Sequence, residues 1–413
     1  MIKGDGSQIE KIYAIRCKSS HEQHLFSSLD FPTFPLYSLS APPQFSNLTI
    51  FEFSNPYLCP VENQKKDVRK LSLAELEEFF LAHGEKKFRA KQVYEWLWNK
   101  SLKNFDDMSN ISLSTRELLK NHFTINHIHV DLMQHSSDGT IKNAVKLFDS
   151  KIVESVLIPT TKRITACVSS QVGCSLDCNF CATARLKRMR NLNPDEIYDQ
   201  VVAIKDEAET YFQRPLTNIV FMGMGEPLLN YANVIEAIDK ITSPEGLGMA
   251  PRRITLSTVG IPKMIRKMAD DEVKFNLAIS LHSAINETRS LLMPINDSNP
   301  LEDLAEALKY WYQKTKRKIT YEYVIWDGIN DDERHARALA KFCKHIPSKV
   351  NIIQYNPIDE GEFHQAKQDA VDMYVRILEG QGIIAKVRKS RGQDIDAACG
   401  QLANKNEVAH LAE

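Results

Sequence analysis

Three cysteines, Cys174, Cys178 and Cys181, stand in the spacing C-x3-C-x2-C inside the stretch CVSSQVGCSLDCNFC, which runs from Cys167 to Cys181. A loop this tight can present three thiolates together. Thiolates ligate soft metals and iron–sulfur clusters. A [4Fe–4S] cluster usually takes four cysteines, so three ligands leave one iron open to coordinate something else. Two other readings stay open, a zinc knuckle and three unrelated thiols. Structural zinc wants four ligands, typically from paired C-x2–4-C units, and no second pair is nearby. Ligand count and spacing therefore favour the cluster.

The elements around the loop must position it. Before it, NAVKLFD and KIVESVLIP read as strands with hairpin turns, one at Asp138-Gly139. After it, Asn193-Pro194 with Asp195 and Glu196 is a strong helix start, with a cap, Pro at the first position and acids in the first turn. Strand-like runs follow at 218–222, 253–257, 275–281, 319–325 and 350–354. Helical patterns separate them at about 231–242, 261–270, 301–315, 332–345 and 366–380. Strand-then-helix alternation means a parallel sheet with right-handed crossovers. Counting the strand before the cysteine loop gives about six βα units. That predicts an α/β fold, a partial (β/α)6 barrel, with active residues at the C-terminal strand ends.

Polar residues fall at those ends. Gly223-Met224-Gly225-Glu226-Pro227 follows TNIVFM, Ser257 ends RITLS, Ser280-Leu281-His282 ends FNLAISLH, and Asn356 ends NIIQYN. Glycines let the backbone approach a ligand closely, and Glu226 can accept from an amine or a ribose. Each alone is an ordinary turn residue. Together, beside a cluster loop, they read as a site for a polar cofactor.

The rest of the chain sets bounds. With 413 residues, 43% hydrophobic and 25% charged, it can bury a sizeable core in two or three domains. No apolar run reaches a membrane span, and MIKGDGSQIEKIYAIRC lacks a signal-peptide core. Eight cysteines in this length do not make a disulfide framework and suit a reducing cytoplasm. Net charge is −1, so any RNA-binding surface must be local. Six of the 17 prolines lie within the first 60 residues, which hold no sustained period. Residues 1–66 are expected to be a poorly ordered, dispensable extension in which Cys17 and Cys59 are incidental. Initiation at Val61 from a GUG codon would omit most of it. Order is expected near Leu71, where Ser72-x-x-Glu75 is a capping box with Leu73, Leu76, Phe79 and Phe80 on one helix face. Residues 67–126 read as a helical accessory domain, 127–403 as the core with its leading β-hairpin region, and 404–413 as a tail. Two basic runs can meet RNA: Lys86, Lys87, Arg89 and Lys91, and Arg185, Lys187, Arg188 and Arg190. The alternative for both is a solvated face.

The motifs together resemble a known family. The cysteine loop with Phe180 before its third cysteine resembles the radical S-adenosylmethionine (SAM) signature. With FMGMGEPLLN, TLSTVG, AISLH, NPI and RGQDIDAACGQL it resembles the RlmN family of RNA adenine methyltransferases over roughly residues 67–403. GEKKFRAKQV and FDDMSNIS resemble its N-terminal domain. The related Cfr family, which methylates adenine C8, has a further cysteine where this chain has Val172. ATARLKRMRNL departs from the usual glycine-containing RlmN wording.

The resemblance implies roles. Cys174, Cys178 and Cys181 would hold the [4Fe–4S] cluster. Gly225, Glu226, Ser257, Ser280, Leu281, His282 and Asn356 would bind SAM. Cys399 would carry the methyl group, Cys167 would be its partner thiol, and Glu154 would be the proton acceptor. The alternatives are a buried core cysteine for Cys399 and an exposed strand residue for Glu154. Lys386, Arg388, Lys389 and Arg391, just before Cys399, would favour its thiolate. Cys343, in a helical KFCKHI pattern, reads as inert core. In the implied cycle one SAM methylates Cys399, and a second yields a 5′-deoxyadenosyl radical that removes a hydrogen from that methyl. The carbon then adds to adenine C2, the C2 proton leaves, and Cys167 releases product by forming a disulfide. The implied substrates are 23S rRNA and tRNA next to the anticodon. A flavodoxin or ferredoxin would donate electrons to a cytoplasmic monomer. The rival functions are C8 methylation and a non-enzymatic iron–sulfur or zinc RNA-binding protein.

Overall fold

The computed structural model describes residues 65–359 and 361–405. The expected extension up to residue 64, with Cys17, Cys59 and the Val61 start, lies outside the described residues, as does the tail beyond 405.

The first described unit is helical: α1 (Leu73–Ala82), α2 (Phe88–Trp98) and α3 (Leu113–His122). Regular structure begins ahead of Leu71, because Lys66–Asp67 pairs in parallel with Phe123–Thr124. The Asp67 carboxylate holds that junction by accepting from the Arg69 and Asn126 amides at 2.8 and 2.9 Å. The capping box forms at α1, where the Glu75 amide donates to Ser72 Oγ and the Ser72 amide to Glu75 Oε2. Leu76 and Phe80 are buried beneath it.

Next come the strands of one ten-stranded sheet whose order follows the chain. β1 (His129–His135), β2 (Ile141–Lys146), β3 (Ile152–Pro159) and β4 (Ile164–Cys167) form an antiparallel meander. Its first turn uses Gly139 at φ +86°. Then follow α4 (Pro194–Phe212), β5 (Asn218–Phe221), α5 (Tyr231–Thr242), β6 (Ile254–Thr258), α6 (Pro262–Asp270) and β7 (Asn276–Ser280). α7 (Asn286–Leu292), α8 (Leu301–Thr315), β8 (Ile319–Ile325), α9 (Glu333–Phe342), β9 (Ser348–Gln354), α10 (Gln368–Glu379) and β10 (Ile384–Arg388) complete it. β4 through β10 run parallel. Six βα units thus lead into a seventh parallel strand.

All seven residues of β8 are buried, as expected for a parallel strand covered on both faces. β10 was not expected, because IAKVR leaves Ile384 and Val387 exposed on a sheet edge and carries no core pattern. The short α7 was also unforeseen. The helical unit grips the barrel through α4. Arg69 pairs there with Asp199 and Asp195 at 2.8 and 3.2 Å, and Trp98 packs edge-on against Tyr198.

Candidate active site

The cysteine loop leaves β4 and crosses the mouth of the barrel. Gly173 has φ +72°, and a Cβ there would sit 2.5 Å from the Lys187 carbonyl oxygen. The loop closes on itself through Cys181 N to the Cys178 carbonyl and Cys174 N to the Leu186 carbonyl. Phe180 packs against His282 and Trp326, with ring centroids 4.9 and 5.0 Å away. This gives the aromatic residue before the third cysteine its job: it seats the loop on an apolar plug that includes Leu292, Met293, Val324 and Trp326.

Cys174, Cys178 and Cys181 line one cavity and are free thiols. Burial pushes Cys174 up to about 11 and raises Cys178 well above the usual thiol range, with Cys181 and Cys174 adding to the rise at Cys178. Three bare thiolates are therefore costly here, and a cluster core of opposite charge would offset that cost. Arg289 is fully buried nearby, and its hydrogen bonds go to neutral oxygens of Leu281, Val259 and Asn296. Its positive charge favours the Cys178 thiolate. Among the described residues no three cysteine, histidine or carboxylate groups gather closely enough for one ion. Cluster ligands each bond a different iron. Three free thiols from one loop on one cavity fit a cluster held by three cysteines.

The polar strand ends meet in the same cavity: Gly225 and Glu226 after β5, Ser257 in β6, Ser280 and His282 at β7, and Asn356 after β9. Leu281 is fully buried between two of them. The glycines serve a close approach to the protein itself. A Cβ on Gly223 would lie 2.6 Å from Ser169 Oγ, and one on Gly225 would lie 2.5 Å from Gln171 Cβ. Both Glu226 oxygens accept backbone amides, from Leu228 at 3.0 Å and Val259 at 2.9 Å. Burial pushes this carboxyl up to about 7. His282 accepts from the Val324 amide through Nδ1, which places its proton on Nε2, and burial lowers it to about 3, so the ring is neutral.

Cys399 lines the same cavity and is exposed, not a core cysteine. The Gly400 carbonyl accepts from Ala182 at 2.8 Å and the Leu402 carbonyl from Thr183 Oγ1 at 2.6 Å, so the segment is stitched to the cysteine loop. Cys167 ends β4 and is buried, and burial pushes it up to about 12, with Cys399 adding to the rise and Arg388 opposing it. Neither thiol is in a disulfide. Arg388, at the end of β10, lines the cavity and pairs with Glu322 at 3.2 Å. Asn351 holds the other Glu322 oxygen at 2.8 Å. Cys343 is buried far along the chain from these groups and pushed up to about 12 by burial, as inert core should be.

Glu154 in β3 is 1% exposed, which removes the exposed-strand alternative. Its Oε1 faces buried Lys142 at 3.3 Å, and its Oε2 accepts from the Ala403 and Asn404 amides at 2.8 and 3.1 Å. It is not among the residues that line the cavity.

The second basic run divides. Lys187 and Arg188 are exposed, but Arg190 is fully engaged by Asp149 and Glu196 and stacks over Phe148. Arg190 is therefore part of the fold and not a free phosphate donor. Arg289, Glu322 and Lys142 were missed from sequence. Each looks like a surface charge on a helix or strand, and its partners lie far away in sequence.

A three-cysteine loop at the C-terminal mouth of a partial parallel barrel, ringed by polar strand ends, defines a radical SAM enzyme, a superfamily that uses a [4Fe–4S] cluster and SAM. The description "Ribosomal RNA large subunit methyltransferase N-terminal domain" matches residues 66–125, and "Radical SAM superfamily" matches 168–340. A relative from Christiangramia forsetii, named "Probable dual-specificity RNA methyltransferase RlmN", is 66% identical over 350 residues, covering 85% of this chain and 99% of its own. One of the same name from Enterococcus faecalis is 40% identical, covering 83% and 97%. A solved radical SAM methyltransferase from Sphaerobacter thermophilus superposes with a TM-score of 0.77 at 37% identity, over 82% of this chain and 99% of that one. The chain belongs to the RlmN family of radical SAM methyltransferases.

Proposed function

We propose that the protein forms 2-methyladenosine in 23S rRNA and in tRNA next to the anticodon, with Cys399 carrying the carbon. The observation that carries this is the placement of Cys399 on the wall of the cavity that holds Cys174, Cys178 and Cys181. The relatives' printed names carry dual specificity toward RNA, and the description matched by residues 66–125 names ribosomal RNA.

Adenine C2 is electron-poor and cannot displace a methyl from SAM, so the carbon must first be mounted on the protein. When bound, the cluster and SAM supply a methyl cation equivalent and a carbon radical able to take hydrogen from a methyl group. Cys174, Cys178 and Cys181 would hold the cluster, and Gly225, Glu226, Ser257, Ser280, Leu281, His282 and Asn356 would shape the SAM site. Cys399 lines the cavity together with Arg388 and would be the methyl acceptor. Cys167 stays a protonated, buried thiol until it is needed to release product from Cys399. Glu154 would take the C2 proton. The apolar plug of Phe180, Trp326 and Met293 keeps water from the cavity floor. Lys86, Lys87, Lys91, Lys187 and Arg188 are exposed and suit RNA phosphates, and the helical unit would serve as an accessory RNA-binding domain. A flavodoxin or ferredoxin would supply electrons to a cytoplasmic monomer.

The test is anaerobic reconstitution with SAM, reductant and deproteinised rRNA or tRNA, followed by digestion to nucleosides. The expected product is 2-methyladenosine from both RNAs. Either 8-methyladenosine or no SAM cleavage would overturn the proposal.

A further inference from the structure

The segment that bears Cys399 has no regular structure between a 3-10 turn at Gln393–Ile395 and residue 405, yet it is held at defined points. Its far end is held by one carboxylate. Glu154 Oε2 accepts both the Ala403 and Asn404 amides, at 2.8 and 3.1 Å, across 249 and 250 positions of sequence. The Asn404 side-chain amide adds a bond to the Ile152 carbonyl at 2.8 Å, on the same strand. The other Glu154 oxygen faces Lys142 Nζ at 3.3 Å, with both side chains at most 3% exposed. Lys142 and Glu154 sit on neighbouring strands, where Lys142 is opposite Val156 and Ala144 is opposite Glu154. A sheet rarely buries such a pair without a task, because desolvating two charges is costly. Nothing in the proton-acceptor role of Glu154 calls for a lysine or for two amides on the carboxylate.

We infer that Lys142 and Glu154 form the seat of the Cys399 segment, with Lys142 a positioning residue that pairs with the carboxylate and keeps it aimed at residues 403 and 404. The inference rests on Cys399 being the methyl carrier. With the seat occupied, Cys399 stands over the cavity in register with the cysteine loop. Both oxygens of the seated carboxylate are already in use, so docking and proton acceptance by Glu154 compete for the same atoms.

The test uses the full-length, reconstituted protein and hydrogen exchange read by mass spectrometry on the peptide spanning residues 400–405. The variant Glu154→Leu/Lys142→Met removes both charges together and so leaves no buried ion unpaired. Ala403→Pro is a second route, since it deletes one donor and leaves the ion pair intact. Both should exchange the Asn404 amide at least about tenfold faster than wild type and alkylate Cys399 faster, since the double variant removes that amide's acceptor and Ala403→Pro removes the adjoining bond that holds the segment to the same carboxylate. Exchange in Ile319–Ile325 should stay unchanged in the same samples. Methylation of Cys399 by SAM, scored on the intact protein without RNA, should fall in both variants. Wild-type protection of residue 404 in both variants would overturn the seat. Absence of any methyl on wild-type Cys399 would overturn the carrier reading, while the exchange result would still decide the seat.

Discussion

The Asn356 side-chain amide donates to the Cys399 carbonyl at 3.1 Å, and its oxygen accepts from the Gln393 side chain at 2.7 Å. A residue expected only to bind SAM thus ties the end of β9 to the thiol-bearing segment. The proposed cofactor pocket and the proposed methyl carrier share one amide.

Asn356→Asp keeps the shape and loses the donor to Cys399. Losing a buried hydrogen bond costs about 1–3 kcal/mol, so docking of the segment should weaken by roughly fivefold to a hundredfold. Methyl loading of Cys399 should slow accordingly, and alkylation of Cys399 should quicken. A variant with slower loading but unchanged Cys399 alkylation would place Asn356 in the SAM site alone.

Cys178→Ala, like Cys174→Ala or Cys181→Ala, should abolish iron binding or SAM cleavage. The helical unit should stay folded, because its core is built from Leu76, Phe80, Val93 and Leu119, which are all buried away from the cysteine loop. The checks are iron content, the visible spectrum and circular dichroism. Normal production of methylated RNA by Cys178→Ala would refute the ligand set.

Cys399 and Cys167 should fail in different ways. Cys399→Ala removes the carrier, so no RNA becomes attached. Cys167→Ala leaves attachment intact and removes the releasing thiol, so protein covalently bound to RNA should accumulate as an RNase-sensitive band on a denaturing gel. The double variant should show no band. Normal turnover by Cys167→Ala would overturn the assigned order.

Glu207 on α4 offers a pH test away from the cavity. Burial pushes its carboxyl up to about 7, Asn143 donates to one oxygen at 2.7 Å, and the other has no hydrogen-bond partner. The unfolded chain releases this proton near the ordinary glutamate value of 4.5, while the folded protein keeps it to about 7. The folded state binds more protons in that window, so this group's contribution makes stability fall as pH rises through it. Glu207→Gln stays neutral throughout. Its stability relative to wild type should rise from about pH 4.5 to 7, reaching on the order of 3 kcal/mol. Denaturant unfolding at pH 5 and pH 8 checks the sign. An equal difference at both pH values would show that Glu207 titrates normally.

Local signals carried much of the fold. The capping box at Ser72–Glu75, the Asn193-Pro194 start and the strand at Ile319–Ile325 sit where periodicity and end chemistry put them. The cysteine spacing carried the loop. What stayed hidden depends on distant partners. Lys142 alternates along a strand like any solvent-facing lysine, and only Glu154 explains its burial. Arg190 reads as one more basic residue until Asp149, 41 positions earlier, takes its guanidinium. β10 hides because an edge strand buries little and shows little pattern.

The anchoring of the Cys399 segment at both ends sets how far the sulfur can travel. Asp394 is fixed to the β1–β2 turn by Ser136 and Ser137, and Ala403 is fixed to Glu154. Only residues 395–402 hang between these two posts, and a chain extends at most about 3.3–3.6 Å per residue. The sulfur is on a short leash, and stretching the leash outward would pull it away from the cavity where, in the proposed reaction, its carbon is activated. The RNA must therefore do the travelling. The target adenine has to swing out of its stack and come down to the sulfur. Loops and damaged or unpaired stretches, whose bases swing out at least expense, should be methylated well ahead of the same sequence locked in a duplex.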